Sequence, residues 1–365
     1  MSSNKRIGIF TCGGDCSGLN SVIRAAYIRS KILGYELVGI KRGLLGLVKE
    51  NPDFVILNDN LCSEDLLTAS GSVIYSDTRF ISTKMNDKKA IDDVKRSICD
   101  GYSTLGLAGL IYVGGDGSLS LISELFIKNS NINIIAIPKT IDNDVAMTDV
   151  SIGFYTVVEV VSNAIENIRS TAKSHERTMI IEVMGRDAGF IAMYSGIASG
   201  VDAILVPEFR YSIEGLKNKV KACYDSGRDH CLAVVAEAVE DKAFRHESEF
   251  VNGIVQYSNL KYNGAGQHIA QRLKEEGFDS RAVVLGHIQR GGKTSINDRI
   301  IASAFGAEAV NLIDSGNYGK LLIYVSGAVK AIDITDLGNK FNRKLDKSDI
   351  CVNIARNLGV YIGDI

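Results

Sequence analysis

Proline is scarce, with 3 in 365 residues beside 36 glycines, so the chain has many tight backbone positions and little of the composition that keeps a segment disordered. There is no C-x-x-C pair. The seven cysteines, at 12, 16, 62, 99, 223, 231 and 351, are odd in number and scattered, which indicates neither a zinc site nor a disulfide framework. Reduced thiols in a cytoplasmic setting account for them most simply. An excess of charge of one sign is missing too: the formal net charge is -2, which makes no electrostatic case for nucleic acid or for a membrane surface as partner. No apolar stretch approaches the ~18 residues of a transmembrane helix. The leader, Met1 to Arg6, is short and polar and lacks the apolar region of a signal peptide.

What is present is a globular mixture, 45% apolar and 23% charged, long enough for two domains that each bury a core. Ile7 to Phe10 reads as a buried strand running into the glycine-rich turn Cys12-Gly13-Gly14-Asp15-Cys16-Ser17-Gly18-Leu19-Asn20, with a helix from Ser21 to Leu33. Strand, glycine turn and helix aim backbone N–H groups at an anion. The turn is neither G-x-G-x-x-G nor a Walker loop, which argues against a dinucleotide enzyme of the Rossmann type. Leu105 to Val113 is a second buried strand, and it meets a second Gly-Gly-Asp turn, Gly114-Gly115-Asp116-Gly117-Ser118. Two such turns on neighbouring strands suit one polyphosphate, and Asp116 between glycines is a candidate ligand for Mg²⁺. Further strands are expected at 37–40, 132–137, 179–183, 203–206, 231–236, 281–285 and 321–325, the last clear one. Helices are expected at 84–99, 119–128, 153–171 and 349–357.

A theme repeats along these strands. Asp15, Asp116, Asp142, Arg186, Glu237, His287 and Arg290 each follow a buried strand, where open parallel sheets hold their ligands. Each has an ordinary use in isolation: His287 as a hydrogen-bonded structural histidine, Lys139 as a solvated cation, Glu237 as a helix cap, Arg79 as a surface charge. Together they make a parts list for phosphoryl transfer, in which a protein chiefly positions groups and offsets developing negative charge. In Pro138-Lys139-Thr140-Ile141-Asp142-Asn143-Asp144, Asp142 is the natural base for an attacking hydroxyl, with Lys139 and Thr140 offered to the transferring group and Asp144 beside it. His287 and Arg290 suit a phosphate ester, so the acceptor is expected to be phosphorylated itself.

With those residues located, the chain resembles the 6-phosphofructokinase family from about residue 6 to residue 325. The resemblance rests on T-C-G-G-D-C-S-G-L-N at 11–20, G-G-D-G-S at 114–118, P-K-T-I-D-N-D at 138–144, S-H-E-R at 174–177, V-M-G-R at 183–186 and L-G-H-I-Q-R-G-G at 285–292. It implies an α/β fold of two doubly wound domains with the active site in the cleft between them. Residues 1–152 and 288–340 would bind ATP and Mg²⁺, and residues 153–287 and 341–365 would bind fructose 6-phosphate. Gly14, Arg79, Gly115, Gly117 and Ser118 would face the donor and Asp116 the metal. Asp142 would take the proton, flanked by Lys139, Thr140 and Asp144, while Arg186 stabilises the moving phosphoryl. Met184, Gly185, Glu237, His287 and Arg290 would hold the sugar phosphate. Arg177 and Arg281 resemble arginines that reach a neighbouring subunit's site, which implies a homo-oligomer, a dimer or tetramer.

Within that family, members using pyrophosphate carry Asp where this chain has Gly117 and Lys where it has Lys139; the common bacterial ATP enzymes carry Gly at both. This chain has the mixed pattern. A carboxylate at 117 would obstruct and repel the nucleotide, and Gly leaves the place open, so ATP is the expected donor, with pyrophosphate and a catalytically silent paralogue as the alternatives. Arg24 stands where the family's regulatory arginines begin, but Ile28 and Asn60 cannot neutralise an effector phosphate, which implies altered regulation.

Overall fold

The computed structural model describes residues 5–48, 50–77, 88–115, 119, 132–240, 250–251, 254–255, 264–337 and 342–363. In chain order the elements are β1 (Arg6–Cys12), α1 (Leu19–Ile32), β2 (Glu36–Ile40), β3 (Phe54–Ile56), β4 (Ser76–Asp77), α2 (Lys88–Thr104), β5 (Leu107–Gly114), β6 (Ile134–Pro138) and α3 (Phe154–Ser174). There follow β7 (Thr178–Val183), α4 (Phe190–Ala198), β8 (Ala203–Leu205), α5 (Ile213–Asp225), β9 (Cys231–Ala236), the short pair β10 (Phe250–Val251) and β11 (Ile254–Val255), α6 (Ala265–Glu275) and β12 (Ser280–Val284). A 3₁₀ turn (Gly286–Arg290), α7 (Ile296–Asp314), β13 (Lys320–Val325), β14 (Ala328–Asp333) and α8 (Ile350–Asn357) complete the list.

By its internal contacts the chain divides into two compact α/β units, Met1–Thr156 with Arg290–Arg343, and Val157–Gln289 with Lys344–Ile365. The first holds a sheet in the order β14-β13-β6-β5-β1-β2-β3, with β4 alongside the end of β1. Its central pairs are parallel, and β3 and β14 run antiparallel at the edges. Ile7, Ile9, Phe10, Leu110, Ile111, Ile135 and Ile137 are fully buried, the unbroken apolar run required of strands covered on both faces. α1 and α7 pack so closely that a Cβ at Gly306 would come within 2.4 Å of the Val22 carbonyl, so only glycine fits there. In the second unit, the parallel sheet β12-β7-β9-β8 has β7, β9 and β8 buried, whereas its edge strand β12, expected to be buried, is half-exposed, because one face of an edge strand is left open. Strand order reverses between β1 and β5 in the first unit and beside β7 in the second, and such switch points are where open sheets bind ligands at their carboxyl ends. Among the described residues no helix is long and apolar enough to cross a membrane.

The helices α4, α5, α6 and α7 and the short strands β3, β4, β10 and β11 are not among the elements read from the sequence, and two further departures have plain physical reasons. α2 continues to Thr104 rather than Cys99, because Ile98 and Tyr102 extend its buried stripe, and the left-handed Gly106 ends the segment before β5. β14 was not expected at all. It is an exposed edge strand, hairpinned to β13 through Ser326 and Gly327, both at positive φ, and it has too little buried face to show a hydrophobic pattern.

Candidate active site

In the first unit, the turn after β1 is braced carbonyl by carbonyl. Ser76 Oγ donates to the Gly13 carbonyl at 2.7 Å, Lys139 Nζ to the Gly14 carbonyl at 2.5 Å, and Arg290 Nη1 to the Asp15 carbonyl at 2.9 Å. Three successive acceptors are thereby taken up by donors, two of them cations. A polar turn whose negative ends are neutralised, followed by the N-terminus of α1, is an anion-receptive surface. Ser17 and Asn20 fix its far side: Ser17 Oγ bonds the Gly292 carbonyl at 3.2 Å, and Asn20 donates to the Ala69 carbonyl and accepts from the Val73 N–H.

Lys139 is 3% exposed, and burial pushes its ammonium pKa down, with the nearby thiols of Cys16 and Cys12 acting in the opposite sense. Those two thiols are themselves pushed up to about 12 by burial, which keeps them protonated and unreactive beside the turn.

β6 delivers the second turn. Asp142 is 4% exposed and Asp144 7%, each with one carboxylate oxygen fully buried. Their backbone is framed on all sides: the Asp142 N–H donates to Thr140 Oγ1 at 3.1 Å, and Ser151 Oγ donates to the Thr140 carbonyl at 2.7 Å. Asn143 sits at φ 54, a left-handed position that Asn tolerates. Its amide accepts from the Ser151 N–H and donates to the Asp149 carbonyl, and the Arg343 N–H closes on the Asp144 carbonyl at 2.6 Å. A carboxylate held in such a frame loses little freedom when a substrate arrives.

In the second unit, three strand ends carry polar groups. β7 runs into Met184-Gly185-Arg186. Gly185, at φ 144, would put a Cβ within 2.4 Å of the Ala188 carbonyl, which excludes any side chain, and Arg186 follows at φ 49 with its side chain exposed. A non-glycine residue held left-handed beside a strand end marks stored strain of the kind found at functional positions. The Arg186 N–H donates to Glu237 Oε1 at 2.9 Å, beyond β9, and the Met184 N–H to Gln289 Oε1 at 3.1 Å. His287 is exposed on the 3₁₀ turn after β12. Where β7 and β12 begin, Asp279 holds Arg177 Nε at 2.7 Å and Arg281 Nη1 at 2.6 Å, setting two guanidiniums on one carboxylate.

The structure thus gathers Gly14, Asp15, Lys139 and Arg290 on one turn, frames Thr140, Asp142 and Asp144 on another, and ties Arg186 to Glu237. Gly115, directly after β5, sits in a cradle where a Cβ would come within 3.1 Å of the Lys139 carbonyl. Arg79, Asp116, Gly117 and Ser118, with the expected helix at 119–128, lie outside the described residues, apart from Leu119. Of the ordinary uses weighed for single residues, Lys139 is buried rather than solvated, Glu237 caps a backbone N–H in a strand-end turn rather than a helix, and His287 is exposed rather than buried.

Sequence reasoning missed three positioning residues. Gln289, 1% exposed, spans the Met184 N–H and the Gly286 carbonyl. Asp279 joins the arginines. Asp298, fully buried, accepts from the Gly153 N–H at 3.0 Å, the Thr156 N–H at 2.7 Å and Thr156 Oγ1 at 2.6 Å, fixing the start of α3. Only Asp298 had a local signal: Ser295-x-x-Asp298 has the form of a helix capping box.

Comparison with known proteins places this arrangement. The family model described as Phosphofructokinase matches residues 6–313. ATP-dependent 6-phosphofructokinase 1 of Nostoc sp. is 39% identical over 372 residues, covering 100% of both chains. Pyrophosphate--fructose 6-phosphate 1-phosphotransferase of Dictyoglomus thermophilum is 36% identical, covering 93% of this chain and 94% of that protein. Among solved structures, phosphofructokinase from Saccharomyces cerevisiae superposes with a TM-score of 0.76 at 25% identity, over 91% of this chain and 45% of that longer one.

Proposed function

Since the chain belongs to the phosphofructokinase family, we propose that it transfers the γ-phosphoryl of ATP to the 1-hydroxyl of fructose 6-phosphate, releasing ADP and fructose 1,6-bisphosphate. The observation that carries this reading is the pairing, within one unit, of a carbonyl-braced glycine turn with the buried and framed carboxylate of Asp142. The first supports a polyphosphate; the second accepts a proton.

In this scheme the donor's phosphates lie along the turn at Gly14 and the end of β5. Asp142 takes the proton of the attacking hydroxyl, and Thr140 and Asp144 orient the groups around it. Arg186 offsets charge on the transferring phosphoryl. Met184, Gly185, Glu237, His287, Arg177 and Arg281 serve the sugar phosphate. Arg290 serves it as well: among the described residues one of its five N–H donors bonds the Asp15 carbonyl, and the remaining donors suit an ester oxygen. Mg²⁺ fits the same region. The side-chain-free cradle at Gly115 is followed in sequence by Asp116, a hard oxygen donor, and the chemistry the ion supplies when bound is neutralisation of donor phosphate charge.

ATP is assigned over pyrophosphate because position 117 carries glycine rather than a carboxylate that would repel the nucleotide, while Lys139, placed under the turn, supports the loop whichever donor lies on it. Steady-state rates with fructose 6-phosphate and either ATP or pyrophosphate test the assignment. Turnover with ATP at least about tenfold above that with pyrophosphate is expected, and the reverse ratio overturns it. The support role of Lys139 has its own test. Lys139→Met deletes a charged hydrogen bond of about 1.5–3 kcal/mol and is expected to raise KM for ATP about tenfold or more, with a smaller change in kcat. An unchanged KM would show that the loop holds its shape without the ammonium.

A further inference from the structure

The cysteines at 223 and 231 are eight positions apart, in no recognised motif, and have no part in the chemistry above. The fold brings them together. Cys223 lies in the last turn of α5 and Cys231 begins β9, and their sulfur atoms and a carboxylate oxygen of Asp202 all lie within 4.8 Å of one another. Cys223 is 4% exposed and Cys231 fully buried.

Among the described residues this is the one cluster of three metal-type ligands, but Asp202 is already committed. Both its oxygens are gripped by the Arg228 guanidinium, Nη2 reaching Oδ2 at 3.0 Å and Nη1 bonding Oδ1, and the Leu232 N–H adds a further bond to Oδ2 at 2.9 Å. That leaves two thiols, too few for a tetrahedral zinc site. The same guanidinium lies 3.9 Å from Cys223 Sγ. A hydrogen bond from Cys231, assisted by this cation, draws the Cys223 thiol below its ordinary pKa, while Cys231 is held above its own. The other buried thiols offer a contrast: burial raises Cys12 and Cys16 to about 12 and Cys62 to about 11.

We propose that Cys223 and Cys231 form a reversible dithiol–disulfide pair, oxidised by small peroxides, with Cys223 as the attacking and Cys231 as the resolving sulfur. In the first step the Cys223 thiolate attacks a peroxide oxygen. The S–O bond forms, the O–O bond breaks, and hydroxide departs and is protonated to water, leaving Cys223 as the sulfenic acid. In the second, Cys231 sulfur attacks Cys223 sulfur. The S–S bond forms, the S–O bond breaks, and the departing hydroxide takes the Cys231 proton as a second water. Two thiols lose two electrons in all, and the peroxide gains them.

Arg228 plays the part that basic groups play at reactive cysteines, favouring the thiolate. Its pairing with Asp202 holds it in place near the sulfur, so the cluster is arranged for thiol chemistry rather than for packing alone.

The test is to treat the native full-length protein with hydrogen peroxide, block remaining thiols with an alkylating reagent in denaturant, and map the peptides by mass spectrometry. The expected result is a fall from seven alkylatable thiols to five, with a cross-linked peptide joining Cys223 to Cys231, reversed by dithiothreitol. In Cys231→Ser the same treatment should leave a sulfenic acid on Cys223 that dimedone traps. If wild-type Cys223 and Cys231 both remain alkylatable while other cysteines oxidise, or if Cys223 oxidises with no cross-link, the proposal is wrong. The wild-type map decides the matter even if the variant fails to fold.

Discussion

Asp142→Asn is expected to lower kcat about a thousandfold while leaving KM for ATP and fructose 6-phosphate within about threefold of wild type. The substitution is nearly isosteric and leaves in place the bonds made by the Asp142 N–H, the Thr140 and Asp144 carbonyls and the Asn143 amide. What it removes is the capacity to accept a proton from the attacking hydroxyl. The split between kcat and KM separates a base from a binding residue: a group that held substrate and transition state alike would raise KM and leave kcat unchanged. Initial-rate measurements over both substrates check this. A variant with wild-type kcat would remove Asp142 from the chemistry.

The second large effect falls on stability. Asp298→Ala is expected to cost the first unit about 3 kcal/mol, because it strips the Gly153 and Thr156 N–H groups and the Thr156 hydroxyl of a fully buried acceptor and leaves those donors without water. For a unit of this size that is a fall in melting temperature of roughly 6–12 °C. The pH dependence of the loss carries a sign. Burial raises the Asp298 pKa against the hydrogen bonds that lower it, so the folded state binds this proton more tightly than the unfolded chain does. Its contribution is therefore largest below the ordinary carboxylate pKa and declines as pH rises toward the raised value. Thermal or urea unfolding of both proteins at several pH values measures it: the wild-type advantage over Asp298→Ala should narrow as pH rises through that window. A gap that widened there would mean the carboxylate is held below its normal pKa, contrary to the burial argument.

What the sequence showed and what it hid follow a physical division. Strand ends were legible because a parallel strand covered on both faces is an unbroken apolar run, and glycine or proline with a charged residue breaks it sharply, as at Gly13-Gly14-Asp15 and Pro138-Lys139. The phosphofructokinase resemblance could be read because five such breaks, with the S-H-E-R joint at 174–177, stand in a fixed order. The bracing of the first turn was hidden. Lys139 and Arg290 both appeared as ligand contacts, and only the fold shows their nitrogens on the carbonyls of Gly14 and Asp15, which lie 125 and 275 positions away. Asp298 and Asp279 were hidden for the same reason, since a buried carboxylate and a capping one look alike until the partners are known. The Cys223 and Cys231 pair came into view only when the turn from α5 to β9 closed. Edge strand β14 escaped because most of its residues face solvent, and periodicity records burial, not hydrogen bonding.

The most direct measurement is phosphorus NMR of the purified protein incubated with ATP, Mg²⁺ and fructose 6-phosphate, followed until the spectrum stops changing. ADP and a second sugar phosphomonoester coupled to the C1 methylene protons should appear in equal amounts, and Asp142→Asn should leave the starting spectrum unchanged over the same period. A wild-type mixture that stays intact, or that yields the bisphosphate only when pyrophosphate replaces ATP, would contradict the account.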